Sequence, residues 1–136
     1  MTEPLLAVRD LQKYFPIGGS LFGARRALVK AVDGISFTIN AGETLGLVGE
    51  SGCGKTTTSK LVLAADTPTA GSIEFEGRNV AELRGAELQD YRRKVQVVFQ
   101  DPYSSLSPRM RVGDIIGEPI KAYECLSLAD VRARVV

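Results

Sequence analysis

No apolar run in the 136 residues approaches the roughly 20 needed to span a bilayer as a helix. An excess of charge of one sign is lacking too. The formal net charge is +1, so no global field draws the chain to nucleic acid or to anionic lipid. Cysteine is scarce. Cys53 and Cys125 stand alone and make neither a disulfide framework nor a metal-ligand pattern. Internal repeats and low-complexity segments are absent. The amino end, "MTEPLLAVRD", carries acid and proline where a signal peptide carries basic and then apolar residues. A cytoplasmic protein is expected.

What is present is ordinary globular composition: 44% apolar and 24% charged residues, enough for one modest domain. "LLAVRDLQKYF" reads as a first strand. "PIGGSLFGARRALVKA", with Arg25, Arg26 and Lys30, reads as a long hairpin loop. Two strands are expected at 35–39 and 44–48, joined by the turn "NAGE". The second is nearly all apolar, as in a strand buried on both faces. A helix is expected over 55–65, with Thr57, Leu61, Ala64 and Ala65 on one face. "GSIEFEG" alternates, with Ile73 and Phe75 on one side and Glu74 and Glu76 on the other. "VAELRGAELQDYRRK" reads as an amphipathic helix, "VQVVF" as another buried strand, and "QDPYSSLSPRM" as a loop held open by Pro102 and Pro108. The remainder reads as helical, interrupted near Pro119. The closing "LSLADVRARVV" has Ser127 as its cap. It reaches Val136 with no glycine or proline terminator, and reads as cut rather than finished. The expected class is α/β with a β-rich edge.

The densest signal is "GESGCGKT", residues 49–56, which fits the phosphate-loop pattern G-x-x-x-x-G-K-[ST]. A chance match in a chain of this length is on the order of half a percent. A buried strand before it and a helix after it are the context the motif needs. Gly49, Glu50, Ser51, Gly52, Cys53 and Gly54 are the candidate walls of an anionic nest of backbone N–H groups. The helix beginning near Lys55 aims its positive end at the same point. Lys55 adds a mobile charge for the β and γ phosphates. The Thr56 hydroxyl is a hard oxygen ligand suited to Mg²⁺, and Thr57 supplies the next N–H and hydroxyl for the α-phosphate. Cys53 reads as a small bystander.

These residues resemble the ATP-binding subunits of ABC transporters over essentially the whole chain. "VVFQDPYSSLSPRM" is similar to the glutamine loop of the dipeptide and oligopeptide importers, and "VGDIIGEPI" to the segment after it. "YFPIGGSLFGARRALVKAVDGISFTI" resembles the extended first hairpin of one of their two ATPase subunits. The resemblance implies a P-loop NTPase-like core with an antiparallel β edge subdomain. It implies that residues 1–136 are the N-terminal part of one nucleotide-binding domain, ending before the signature and Walker B segments. It gives Phe15, with Tyr14 beside it, the adenine-stacking position. It gives Gln100 a catalytic place, with its amide oxygen toward Mg²⁺ and its NH₂ toward the attacking water. Ser107 stands where the branch has asparagine, and Thr58 where it tends to have leucine, which weakens the helix's apolar face.

The resemblance further implies ATP and Mg²⁺ as ligands, transmembrane permease subunits and a second ATPase subunit as partners, and a substrate-binding protein reached indirectly. It places the protein peripherally on the cytoplasmic face of the membrane. No LSGGQ-type signature, no Asp-Glu pair closing an apolar run and no histidine occurs in the sequence. Three readings therefore stand: an importer ATPase represented by its N-terminal part, a nucleotide-binding fragment without turnover, and a soluble P-loop ATPase of another class.

Overall fold

The computed structural model describes residues 3–17, 27–101, 103, 106–124 and 126–136. They form two compact units, Met1–Leu88 and Gln89–Val136.

In the first unit, Leu6, Ala7, Val8 and Leu11 are buried on strand β1 (Leu6–Ile17). Two neighbours explain this consecutive burial. β1 is inside an antiparallel sheet of order β2-β1-β3-β4, between β2 (Ala27–Ile39) and β3 (Ala70–Phe75), with the short β4 (Arg78–Asn79) at the edge. Leu6 faces Ile39 on one side and Phe75 on the other, and Val8 faces Phe37 and Ile73. The alternation expected of β3 is present. Ile73 and Phe75 enter the core, while Glu74 turns to Arg9 in an ion pair of 3.2 Å.

The first hairpin is more strand and less loop than the sequence suggested. Pro16 and Ile17 remain on β1, and β2 begins at Ala27. The glycine-rich segment with Arg25 and Arg26, expected as a loop, lies outside the described residues. The register between β1 and β2 slips three times. The extra residues fall around Asp10 (φ 44) in β1 and at Gly34 and Ala31 in β2. Each extra residue is left out of the ladder and turns the strand locally.

Helix α1 (Lys55–Val62) follows the glycine loop and stops short of residue 65, with Ala64 at φ 51. Thr58 corrects the expectation of a weakened face. It is buried, and its hydroxyl donates to the Gly54 carbonyl at 3.0 Å, so the polar atom enters the core satisfied. The next helical stretch divides into a 3₁₀ turn (Val80–Glu82), capped by Asn79, and α2 (Gly85–Lys94).

The expected strands at 44–48 and 95–99 are not ladder strands. Val48 is 89% exposed and Val98 91%. A strand buried on both faces requires a partner on each edge. No described residue pairs with either segment, so apolar content alone did not make them strands.

The second unit carries α3 (Val112–Tyr123) and α4 (Leu128–Val135). α3 runs through Pro119 without the expected interruption, although an interior proline removes one backbone bond and costs about 3 kcal/mol. The helix packs against α4. A Cβ on Gly117 would lie 3.1 Å from the Val131 side chain, so the two helices meet closely. Ser127 caps α4 as expected, its hydroxyl accepting from the Asp130 N–H at 3.2 Å.

Tyr91, on α2, is 1% exposed, and burial pushes its phenol up from 10.0 to about 12. The native state thus holds this proton more tightly than the unfolded chain does. The associated stability is complete below 10.0 and is lost as pH rises toward about 12. Ultraviolet titration of tyrosinate is expected to show a phenol ionising at about pH 12, and Tyr91→Phe should remove that step.

Candidate functional site

Residues 49–54 cross from the extended segment into α1, and their geometry follows from glycine. Gly54 is the N-cap at φ 95, ψ 0, a left-handed conformation that glycine adopts without strain. The first helical bond runs from the Thr58 N–H to the Gly54 carbonyl at 2.8 Å. The N–H groups of Lys55, Thr56 and Thr57 therefore have no acceptor within the helix. No side chain caps them, and the first turn holds no acid. Three donors and the positive end of the helix dipole remain available to a ligand.

β2 forms the opposite wall. Ala31 is one of its extra residues, with Lys30 opposite Tyr14 and Val32 opposite Lys13. Its carbonyl lies so close to Gly54 that a Cβ there would come within 2.2 Å of it. Ala31, Gly52, Gly54, Lys55, Thr56 and Thr57 line a hollow of 130 Å³. Bulges are enriched beside functional sites because they re-aim local groups. Nothing in the local sequence marks Ala31 as such a residue.

Lys55 spans its own loop. Its ammonium donates to the carbonyls of Gly49 at 2.7 Å and Glu50 at 2.6 Å, and lies 3.5 Å from Cys53 Sγ. Glu50 also accepts the Cys53 N–H at 3.3 Å, closing the turn that contains the exposed Ser51. Lys55 also lines the hollow, while its ammonium rests on the Gly49 and Glu50 carbonyls. No group of three or more histidine, cysteine or carboxylate side chains suited to a metal occurs among the described residues. A cation here would take its oxygens mainly from a ligand and from water.

The two aromatic candidates differ. The Tyr14 hydroxyl donates to Asp33, and the Lys30 ammonium lies 5.3 Å from the Tyr14 ring. That hydroxyl and Lys30, 3.1 Å from Asp33, hold the Asp33 carboxyl below its usual range. Phe15 is 40% exposed, opposite Val29, and has the more open ring. Gln100 lies in the second unit, exposed, directly after the unpaired segment 96–99. Pro102, Ser104 and Ser105 of the loop after it lie outside the described residues. No described helix is long and apolar enough to cross a membrane.

An antiparallel sheet, a glycine loop and a helix whose open end faces a hollow define a protein of the phosphate-loop NTPase fold. Solved structures agree. A dimeric, post-hydrolysis state of the ATP-binding cassette MJ0796, bound to ADP and phosphate, superposes with a TM-score of 0.75 at 23% identity. The match covers 96% of this chain and 53% of that one. The sequence model described as ABC transporter matches residues 32–135. The chain belongs to the ABC transporter family. The oligopeptide transport ATP-binding protein AppF of Bacillus subtilis is 42% identical over 134 residues, 98% of this chain and 41% of that protein. The dipeptide transport ATP-binding protein DppF of Escherichia coli is 42% identical over 127 residues, 93% of this chain and 38% of that protein. The chain thus spans about two-fifths of the length of these relatives and carries part of the cassette.

Proposed function

We propose that the chain is the triphosphate-gripping part of an ATPase subunit of a peptide importer. The observation that carries this reading is the uncapped, acid-free start of α1 beside a hollow that Lys55 helps to line. On nucleotide entry, Lys55 exchanges the Gly49 and Glu50 carbonyls for β- and γ-phosphate oxygens. The N–H groups of Lys55, Thr56 and Thr57 hold the phosphates in place, and Phe15 stacks on adenine. The lack of a carboxylate cage among the described residues suits Mg²⁺, which keeps several waters and binds chiefly to substrate phosphates. The Thr56 hydroxyl would hold it, and it supplies neutralisation of charge on the phosphates. The Gln100 NH₂ orients the attacking water.

In the complete subunit, two ATPase chains sandwich two nucleotides, and the segment from Asp101 to Arg111 meets the transmembrane permease. Gln100 then couples nucleotide state to that contact, and the coupling is reciprocal. The protein works peripherally at the cytoplasmic face of the membrane, with the substrate-binding protein reached through the permease. Likeness to AppF and DppF supports the peptide branch.

Binding without turnover is the second reading, favoured for the 136 residues by the lack of an Asp-Glu pair after an apolar run. The chain is expected to bind Mg-ATP weakly and to release phosphate no faster than its Lys55→Ala variant. Release by the unsubstituted chain alone would assign it turnover of its own.

A further inference from the structure

The Phe15 ring is held by its neighbours. Lys13, two residues earlier on β1, places its ammonium 5.0 Å from the ring centroid. The same ammonium donates to Asp66 Oδ1 at 2.7 Å and to the Thr67 carbonyl at 2.8 Å. The Lys13 side chain is only 12% exposed and that of Asp66 32%. Asp66 lies just past the end of α1 and is fixed in turn, its Oδ1 accepting the Thr67 N–H at 2.8 Å. Lys13 first, and then that N–H, hold the Asp66 carboxyl below its usual range. Two further bonds stitch the same segments. The Thr69 N–H donates to the Gln12 carbonyl at 2.8 Å, and the Tyr14 N–H to Thr69 Oγ1 at 3.0 Å.

We propose that Lys13, anchored by Asp66, is a positioning residue for the nucleobase. It fixes the plane of Phe15 at a set distance from α1, whose other end holds the phosphates. An exposed phenylalanine at the end of a strand otherwise samples several rotamers. An ammonium seated against the ring selects one, and an ion pair ties that rotamer to the phosphate-binding helix. The cation occupies one face of the ring through its attraction to the π cloud and leaves the other for a flat base. The proposal rests on the reading of Phe15 as the base platform.

The test separates base from phosphate. Titration calorimetry of the 136-residue chain would compare Mg-ATP with Mg-tripolyphosphate, which has the charge but no base. Lys13→Met keeps the stem and removes the ammonium. It is expected to weaken ATP binding about fivefold and to leave tripolyphosphate within about twofold. Asp66→Asn, which removes the anionic anchor, should give the same split in smaller measure. Lys13→Arg should restore ATP affinity, and Phe15→Ala should lower ATP affinity alone. If Phe15→Ala weakens ATP binding and Lys13→Met does not, the role of Lys13 is overturned and the base platform stands. If neither variant matters, both fall. Equal loss for ATP and tripolyphosphate in Lys13→Met would make the lysine a support of the fold alone, and would overturn the proposal.

Discussion

Lys55→Ala is expected to abolish measurable nucleotide binding, a loss of roughly 100-fold or more in a fluorescent-ATP titration. The argument is electrostatic. A polyphosphate brings several negative charges into a hollow whose fixed donors are three backbone N–H groups. Those groups remain in the variant, since α1 still begins after Gly54. Among the described residues lining the hollow, the one full positive charge is lost. Charge-assisted hydrogen bonds contribute about 1.5–3 kcal/mol each, and Lys55 has reach for two, as it shows with Gly49 and Glu50. Alanine is a good helix former, so the helix itself should persist by circular dichroism. Unchanged affinity would remove Lys55 from the role given to it here.

Gly54→Ala is expected to damage both the fold and the binding. The new methyl would lie 2.2 Å from the Ala31 carbonyl while the backbone is held at φ 95. Relief requires the loop to leave β2 or the bulge to move. Backbone strain of about 1–3 kcal/mol adds to overpacking of about 1–3 kcal/mol. A fall of roughly 10 °C in Tm follows for a chain of this size, together with at least a tenfold loss of ATP affinity as the hollow deforms. Gly52→Ala is the control. Gly52 has φ 83, but a Cβ there meets nothing within 4 Å, so for the fold conformational strain alone remains, about 1 kcal/mol. Because Gly52 also lines the hollow, the comparison is made in Tm. Equal damage from the two substitutions would show that the close approach to Ala31 is unimportant.

The contrast between these two glycines marks the reach of sequence reasoning. The loop was legible because its pattern is local: glycines, lysine and threonine within eight residues, a helix behind them. The cap of α4 by Ser127 was legible for the same reason. The helix end near residue 62, the 3₁₀ break and the passage through Pro119 depend on packing that no local pattern records. Segments 44–48 and 95–99 were read as strands because they are apolar. A strand is defined by its partner, however, and apolar content names none. Thr58 looked like a flaw on an apolar face until the Gly54 carbonyl appeared beside its hydroxyl. The Lys13–Asp66 pair joins residues 53 apart in sequence, and neither has a neighbour that announces it. Ala31 is the plainest case, since its contribution is a carbonyl that every residue type possesses.

The resting position of Lys55 bears on which visitors the loop admits. Its ammonium is already engaged by two main-chain oxygens, so an incoming molecule must outbid dipoles that are always present at the door. A neutral nucleoside brings nothing that competes, and a single phosphate competes modestly. A chain of phosphates wins decisively, because whole charges prevail over partial ones at the same distance. On the function proposed above, the loop is a threshold that filters by accumulated charge before any feature of the base is read.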